Sequence, residues 1–361
     1  MESFLHVQFD SYKMKKIKIG ENEIGLNHQP FVVAEVGINH NGEIDRALEM
    51  IHVAKSAGCD AVKFQTFKAK EFVNDASQMF TYRSQGSEIT ESMLAMFQRY
   101  ELFETAWPVI KAECDKVGIT FFSTPQNRAD LDLLIQVGVP AVKVGSDDFT
   151  NLPLLKSYAK SGLPLILSTG MSDLAEAHQA LDAVGALDGY PVILLVCTSQ
   201  YPTPPDDVNL ARVTTLRGAF PTVPIGFSDH TRGALASALA VSLGAVFLEK
   251  HFTLSHDLPG PDHWFSEDPN GLTEWVTGIR TAHRMLGNPF VRPTSVERGN
   301  KREYQRRLVA ARDIVAGELM TDQSITLRRV AEGKGFPPVF LDYVLGRPAP
   351  RDYRMGDPIE L

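Results

Sequence analysis

The sequence predicts an α/β fold, a (β/α)8 TIM barrel followed by a small β-rich domain. From residue 31, short β-branched apolar runs alternate with longer segments of helical spacing, which is typical of parallel strands joined by crossover helices. Near the end of the chain, short β-like pieces separated by Gly and Pro turns replace this alternation. The 361 residues, 43% hydrophobic and 22% charged, suffice for one large core and a small second domain.

Eight apolar runs are the candidate barrel strands. Eight such units in about 250 residues match a (β/α)8 barrel. An open doubly wound sheet usually has five or six strands and an early phosphate-binding GxGxxG loop, which this sequence lacks. The runs are FVVAEVG (31–37), AVKFQT (61–66), ITFFST (119–124), AVKVGS (141–146), LPLILST (163–169), VILLVCT (192–198), VPIGFSD (223–229) and AVFLEKH (245–251).

The remaining segments complete the predicted domain organisation. A long polar insertion between Lys68 and Phe103 follows the second strand, on the face where barrels build active sites, and is a candidate lid. The tail is short for independent folding, so we expect it to dock on a partner. The predicted segments are 1–30, capping the barrel; 31–290, the barrel; 291–307, a Pro-containing, charge-dense linker; and 308–361, the small domain.

Composition excludes several classes of protein. The formal net charge of -8 argues against nucleic-acid binding, which needs a basic face. No apolar run approaches the roughly 20 residues that span a bilayer, and the start lacks signal-peptide order, so we expect no membrane partner and a cytoplasmic location. Cys59, Cys114 and Cys197 form no CxxC pair and are expected to be core thiols.

Lys63 and Lys143 lie inside apolar strand runs. A buried ammonium group without a partner is costly, so each lysine needs an anion nearby. Strand ends converge on one mouth of a barrel, which brings both lysines beside the STP, GS and STG turns. The hydroxyl and N–H groups of these turns suit phosphate and carboxylate oxygens, so the pair predicts a bound dianion. The alternative is that each lysine pairs with a core carboxylate such as Glu35 or Glu249.

His230 and His251 are one crossover apart, which returns the chain to the same level of the neighbouring strand. Two imidazoles at adjacent strand ends can share a divalent metal, with Asp229 and Glu249 as candidates to orient the rings. Two protein nitrogens leave positions for water and substrate oxygen, as a catalytic metal requires. We therefore predict Mn²⁺ or Mg²⁺ rather than a closed zinc site.

Motifs at the predicted strand ends together resemble those of the sialic acid synthase family, over roughly residues 16–361. The tail similarly looks like the antifreeze-like (SAF) domain of this family. The motifs are EVGINHNG (35–42), KFQTF (63–67), STP (123–125), KVGSDD (143–148), STGM (168–171), CTSQYPTPPDDVNL (197–210), GFSDH (226–230) and LEKHFT (248–253).

The resemblance implies an aldol-like condensation of phosphoenolpyruvate with N-acetylmannosamine or a related N-acetylated aminohexose, followed by water attack and C–O cleavage that releases phosphate. It implies that Glu35 manages water or hydroxyl protons, that Lys63 and Lys143 act as catalytic cations, and that the paired histidines hold the metal that polarises the aldehyde. The residues implied to bind phosphoenolpyruvate are Lys63, Thr124, Lys143, Ser146, Ser168, Ser199 and Ser228. Those implied to bind sugar hydroxyls are Gln65, Asp148, Tyr201 and Asp262.

The resemblance also implies a domain-swapped homodimer. The ITLRRV segment is similar to the family stretch whose arginine reaches the sugar's N-acetyl group across the dimer, and the alignment places that arginine at Arg329 rather than Arg328. A shift of register by one residue would exchange the two side chains.

Other functions compete with this interpretation. Legionaminate and pseudaminate synthases share the chemistry, although KVGSDDFTNLPLL with VAEGKGFPP looks more like the N-acetylneuraminate-forming branch than the pseudaminate branch. Bacterial relatives often have CTN where this chain has CTSQY, at Ser199. Octulosonate phosphate synthases need extra basic residues for a second phosphate and lack the tail. A non-catalytic carbohydrate- or ice-binding protein would have no use for the two lysines and two histidines.

Overall fold

The computed structural model describes residues 15–360. The chain divides into two compact units, Met1–Gly287 and Asn288–Leu361. Residues 1–14 of the predicted N-terminal segment lie outside the described residues. Within 15–360, no helix combines the length and the apolar character needed to cross a membrane.

The first unit contains a closed barrel of eight parallel strands, which confirms the predicted (β/α)8 fold. Its strands are buried along both faces because side chains fill the barrel inside and helices cover it outside. Each predicted run contains one barrel strand. In chain order the strands of this unit are β1 (Ile17–Ile19), β2 (Asn22–Ile24), β3 (Phe31–Gly37), β4 (Ala61–Thr66), β5 (Met79–Ser84), β6 (Ser87–Ser92), β7 (Thr120–Pro125), β8 (Val142–Val144), β9 (Leu165–Ser168), β10 (Val192–Cys197), β11 (Ile225–Asp229) and β12 (Phe247–His251).

The barrel strands β3, β4 and β7 to β12 are hydrogen-bonded in chain order, and β12 pairs with β3 to close the ring. The β1–β2 hairpin buries Ile17, Ile19 and Ile24 in the barrel core. Its Asn22 amide donates to the Thr120 hydroxyl at the start of β7, 3.4 Å away. The hairpin therefore covers the end of the barrel opposite the carboxyl ends of the strands.

Amphipathic helices connect the strands and bury their apolar faces against the barrel. Local sequence fixes their ends: Asp173 and Glu176 form a capping box at the start of α7, and Gly138 adopts the left-handed conformation that ends α5. The helices are α1 (Ile44–Ser56), α2 (Ala69–Phe72), α3 (Met93–Tyr100), α4 (Ala106–Val117), α5 (Arg128–Val137), α6 (Leu152–Ala159), α7 (Leu174–Ala183), α8 (Pro205–Val208), α9 (Ala211–Ala219), α10 (Leu235–Ser242) and α11 (Pro269–Leu286).

The insertion after β4 folds as the antiparallel β5–β6 hairpin followed by α3. Its Met96 and Tyr100 form a small apolar cluster with Phe67, which precedes the insertion, and with Ile38, which follows β3. The candidate lid is therefore a packed hairpin and helix.

One segment of the second unit differs from the prediction made from the sequence. The segment 291–307, expected to be a linker, contains the helix α12 (Ser295–Tyr304), and the barrel unit ends at Gly287 rather than at residue 290. Thr294 and Glu297 form a capping box that starts this helix. No residue of α12 is buried, so it lacks the apolar stripe by which a helix is normally identified from sequence.

The rest of the second unit consists of short pieces around a small core. Strands β13 (Arg307–Ala310) and β14 (Ile325–Arg328) pair antiparallel, and the short helix α13 (Leu341–Val344) follows. The core side chains are Leu308, Ala310, Ile314, Met320, Ile325, Val344, Ala349, Tyr353 and Ile359.

Candidate active site

Two cavities adjoin at the carboxyl ends of the barrel strands. The inner cavity is about 330 Å³ and the outer cavity about 510 Å³. Four side chains line both cavities, namely Gln65, Phe97, Tyr201 and His251. The predicted site residues that line the inner cavity are Glu35, Lys63, Gln65, Thr124, Lys143, Ser146, Ser168, Ser199, Tyr201, Ser228, His230 and His251. Asp262 lines the outer cavity.

A buried group of two lysines and two glutamates forms the floor of the inner cavity. Lys63 Nζ lies 2.9 Å from Glu35 Oε2 and 3.7 Å from Glu249 Oε2. Lys143 Nζ lies 3.4 Å from Glu249 Oε1 and donates to Ser168 Oγ at 2.7 Å. Both interpretations of the lysines are thus realised: each has a carboxylate neighbour, and each also lines the cavity.

Burial and the neighbouring charges shift the pKa values of Glu35, Lys63 and Lys143 in different directions. Burial raises the pKa of Glu35, which favours its neutral form. Burial alone would lower the pKa of Lys63, but Glu249 and Glu35 raise it above its usual value. Burial, reinforced by Lys63, lowers the pKa of Lys143. An anion in the cavity would therefore stabilise the charged form of Lys143.

Small residues bring hydroxyl and amide groups together opposite the lysines. The Gly170 N–H donates to Ser146 Oγ at 3.0 Å. A side chain at Gly170 would meet Ser199 Oγ at 2.3 Å and Ser146 Oγ at 2.5 Å. The loops after β8, β9 and β10 can therefore approach one another only because residue 170 is glycine, and they place hydroxyl groups where phosphate oxygens could bind.

The two histidines lie side by side, with ring centroids 5.5 Å apart. His230 Nδ1 donates to the Thr198 carbonyl at 2.8 Å, so Nε2 is the nitrogen that could bind a metal, and Ser228 Oγ lies 3.5 Å from it. His251 Nδ1 is buried without a hydrogen-bond partner among the described residues and lies 3.8 Å from Asp262 Oδ2. Burial and His230 lower the pKa of His251, so its imidazole is neutral, as metal ligation requires.

Residues 15–360 contain no cluster of three or more His, Cys, Asp and Glu side chains arranged for a metal. His230 and His251 could supply two nitrogen ligands and would leave the other positions of an ion open. Burial and the nearby Glu35 raise the pKa of Asp262 to about 7. The ring of Tyr201 packs on His230 at 4.2 Å and on His251 at 5.8 Å.

Asp148 lies outside both cavities, contrary to its predicted role, and accepts a hydrogen bond from Asn151 Nδ2 at 3.0 Å. The preceding residue, Asp147, lines the inner cavity instead. Residues 146–148 form a bend after β8, where no fixed period sets the side-chain directions, so the path of this loop decides which carboxylate faces the cavity. The sequence DD gives no signal that could choose between them.

Asp229 also differs from its predicted role as a partner of the imidazoles. It accepts from Thr231 N and Ser237 Oγ and lies 3.0 Å from Lys250 Nζ. Alternation along β11 and β12 turns Asp229 and Lys250 outward while the residues on either side face the barrel interior.

Glu249 is the site residue whose role the sequence did not identify, since it was interpreted only as a partner for other groups. Besides approaching both lysines, it accepts from Ser228 Oγ at 2.9 Å. Its position two residues before His251 on β12 places it on the same face, which is the signal that could have identified it.

Arg329 lies in the second unit, where its guanidinium group stacks over the Tyr304 ring at 5.7 Å. Its contact with a sugar stays a prediction.

Comparison with known proteins gives consistent matches along the chain. The NeuB family model matches residues 50–290, and the SAF domain model matches residues 305–361. The N,N'-diacetyllegionaminic acid synthase of Legionella pneumophila is 38% identical over 321 residues, which are 88% of this chain and 89% of that protein. The N-acetylneuraminate-9-phosphate synthase of Homo sapiens is 33% identical over 325 residues, 90% of this chain and 89% of that protein.

A solved structure supports the same relation. The N-acetylneuraminic acid synthetase of Leptospira borgpetersenii, determined in complex with citrate, superposes with a TM-score of 0.72 at 32% identity. The match covers 80% of this chain and 95% of that one.

Proposed function

The chain belongs to the NeuB family, and on this premise we propose that it condenses phosphoenolpyruvate with an N-acetylated aminohexose, giving a nonulosonic acid and phosphate. The observation that carries the proposal is the pair of adjoining cavities. The inner cavity contains two buried lysines and suits a small dianion, and the outer one is larger and suits a sugar. Because they share Gln65, Tyr201 and His251, the reacting carbons of two substrates can meet there.

The predicted site residues of the inner cavity have places in this reaction. Lys63, Lys143 and the hydroxyl groups of Thr124, Ser146, Ser168, Ser199 and Ser228 bind the phosphate and carboxylate of phosphoenolpyruvate. Its methylene carbon bonds to the aldehyde carbon, and the aldehyde oxygen takes up the proton of the neutral Glu35 carboxyl group. Water then adds to the carbon that carries the phosphate, and cleavage of the C–O bond releases inorganic phosphate. Glu35, which the first step leaves as a carboxylate, is placed to accept a proton from that water.

We infer that His230 and His251 hold Mn²⁺ or Mg²⁺, with Asp262 close by. Such an ion would polarise the aldehyde of the acceptor. Gln65, Tyr201 and Asp262 bind the sugar hydroxyls. A domain-swapped homodimer, with Arg329 contacting the acceptor, and a cytoplasmic location also belong to this proposal.

The test is phosphate release from phosphoenolpyruvate with a panel of N-acetylated hexoses. We expect release only when an acceptor and a divalent ion are both present, and loss of activity on chelation or in His230→Ala. A chelated protein that keeps full turnover would refute the role of the metal. The absence of release with every acceptor would favour the sugar-binding alternative.

A further inference from the structure

Three of the groups proposed to act at the mouth of the barrel are held in different ways. Glu35 and His251 lie opposite each other in the pairing of β3 with β12, and the Phe252 N–H donates to the Glu35 carbonyl at 2.9 Å. Asp262 lies instead on the irregular loop between β12 and α11. Strand hydrogen bonds therefore fix Glu35 and His251, whereas the position of Asp262 depends on the contacts of its loop.

The loop that follows β3 supplies one of these contacts through Asn39. This side chain is 1% exposed, and its Nδ2 donates to the Phe252 carbonyl at 2.8 Å and to Ser266 Oγ at 3.0 Å. Ser266 Oγ in turn donates to the Asp262 carbonyl at 2.6 Å. Asn39 thus connects the end of β12 with the backbone of Asp262.

Asn41 makes a second connection between the same two loops. Its backbone is in the left-handed region, with a φ of 53°, and the residue is half-buried. Asn41 Nδ2 donates to the Pro259 carbonyl at 2.8 Å, and Asn41 Oδ1 lies 2.9 Å from His263 Nε2. Because a carbonyl oxygen can only accept, the Asn41 amide has one orientation, and its Oδ1 accepts the Nε2–H of His263.

His263 completes this network in a single tautomer. Burial, reinforced by Arg46 and His256, lowers the pKa of His263 to about 4, so its imidazole is neutral. With the proton on Nε2, Nδ1 is an acceptor, and Thr253 Oγ1 lies 2.7 Å from it, closer than the same oxygen lies to the Ser255 carbonyl at 3.0 Å. Both ring nitrogens are therefore engaged, and the ring cannot turn without breaking a buried hydrogen bond.

The network lies directly behind residues of the outer cavity. Asn39, Asn41 and His263 line neither cavity, so contact with a substrate does not account for them. Residues on either side of His263 do line the outer cavity, and a set of fully paired polar groups gives such a segment one defined position. These lining residues are Pro261, Asp262, Trp264 and Phe265.

We propose that Asn39, Asn41 and His263 are positioning residues, which hold the carboxyl group of Asp262 in a fixed place beside His251 for binding of the acceptor. This inference rests on the proposed function, in which Asp262 binds a sugar hydroxyl group. Asp262 Oδ2 lies 3.8 Å from His251 Nδ1. Loss of the network would displace this carboxyl group, so it should impair use of the acceptor and leave phosphoenolpyruvate binding intact.

The experiment measures the acceptor KM by phosphate release and the Kd for phosphoenolpyruvate by titration calorimetry. Asn41→Gly removes both side-chain hydrogen bonds and suits the left-handed backbone. It should raise the acceptor KM by roughly tenfold, with the Kd for phosphoenolpyruvate unchanged. Asn209→Gly is the matched control, because Asn209 is exposed, has a φ of 48° and lines neither cavity.

The outcomes distinguish failure of this inference from failure of the proposed function. An acceptor KM in Asn41→Gly equal to that of the wild type, or an equally large loss of phosphoenolpyruvate affinity, would overturn the inference and leave the proposed function standing. No phosphate release by the wild-type protein with any N-acetylated hexose would overturn both.

Two variants of His263 separate positioning from packing. Glutamine and methionine have similar length and volume, but only glutamine can donate a hydrogen bond to Asn41 Oδ1. His263→Met should raise the acceptor KM by roughly tenfold, and His263→Gln should raise it less. If the ring only fills space, the two variants would have the same acceptor KM, and that result would overturn the inference. Should neither variant fold, Asn41→Gly decides the question.

Discussion

At the scale of single residues, the floor of the inner cavity combines close lysine–glutamate contacts with two cationic side chains that line the cavity. Lys63 and Lys143 are balanced by Glu35 and Glu249, so neither ammonium group is buried alone. One oxygen of Glu35 has no hydrogen-bond partner among the described residues. The four side chains therefore contact one another closely while some of their buried oxygens lack a hydrogen-bond partner among the described residues.

Replacing either lysine by methionine should weaken phosphoenolpyruvate binding by roughly 2–5 kcal/mol, because the change removes a cation beside a desolvated dianion. Titration calorimetry without acceptor measures this directly. Lys63→Met should also lower the melting temperature, since Glu35 loses its cation. Lys116→Met, at a side chain that is 71% exposed, is the control. Unchanged affinity in Lys143→Met would exclude that lysine from the anion site.

Gly170 should tolerate no side chain, although its backbone does not adopt the left-handed conformation. In Gly170→Ala the new methyl group would push Ser146 and Ser199 apart, so the Kd for phosphoenolpyruvate should rise by roughly tenfold or more. Gly218→Ala is the matched control, because a Cβ at Gly218 in α9 meets no atom within 4 Å. Equal phosphoenolpyruvate affinity in the two variants would contradict this account of the loops.

At the scale of elements, the tip of the β5–β6 hairpin holds the loop 255–262, which ends in Asp262. The Gly260 N–H donates to Ser84 Oγ at 3.0 Å, and Gln85 Nε2 donates to the Asp257 carbonyl at 2.8 Å. The insertion therefore contacts the loop that carries Asp262, the proposed sugar-binding carboxylate, and also lines the outer cavity.

Ser84→Ala should raise the acceptor KM several-fold while leaving the Kd for phosphoenolpyruvate unchanged. The buried Gly260 N–H loses its acceptor, which costs about 1–3 kcal/mol and loosens the loop that positions Asp262. Ser87→Ala, on the same hairpin but exposed, is the control. The same acceptor KM in Ser84→Ala and Ser87→Ala would rule out that the hydrogen bond between Gly260 and Ser84 positions Asp262.

At the scale of the whole molecule, the proposed dimer predicts complementation between two inactive variants. In a domain-swapped homodimer, each active site would use the barrel of one chain and Arg329 of the other. Co-expressing Arg329→Ala with His251→Ala chains should rebuild one intact site in each mixed dimer. With random pairing, phosphate release should approach roughly a quarter of the wild-type value.

The control for this experiment separates the two neighbouring arginines. Arg328→Ala should keep activity by itself if Arg329 is the residue that reaches the sugar. Mixed dimers that form but show no activity above the separate mutants would mean that Arg329 serves its own barrel or no site.

The sequence by itself determined the barrel and most of the residues at its mouth. Strand periodicity and crossover length are local properties, and in a closed parallel barrel every strand end lies at the same mouth. Lys63, Lys143, His230 and His251 could therefore be placed together from their positions at strand ends.

Only the tertiary structure decided which neighbouring side chain faces the cavity and what the insertion builds. Asp147 rather than Asp148 lines the inner cavity because a loop has no fixed period to set its side-chain directions. The sequence could suggest Glu249 as a partner for a lysine, but only the folded barrel shows that it contacts both Lys63 and Lys143. The apolar lining of the outer cavity joins side chains from the β5–β6 hairpin, α3 and distant loops, and such contacts depend on how the chain packs rather than on any local pattern.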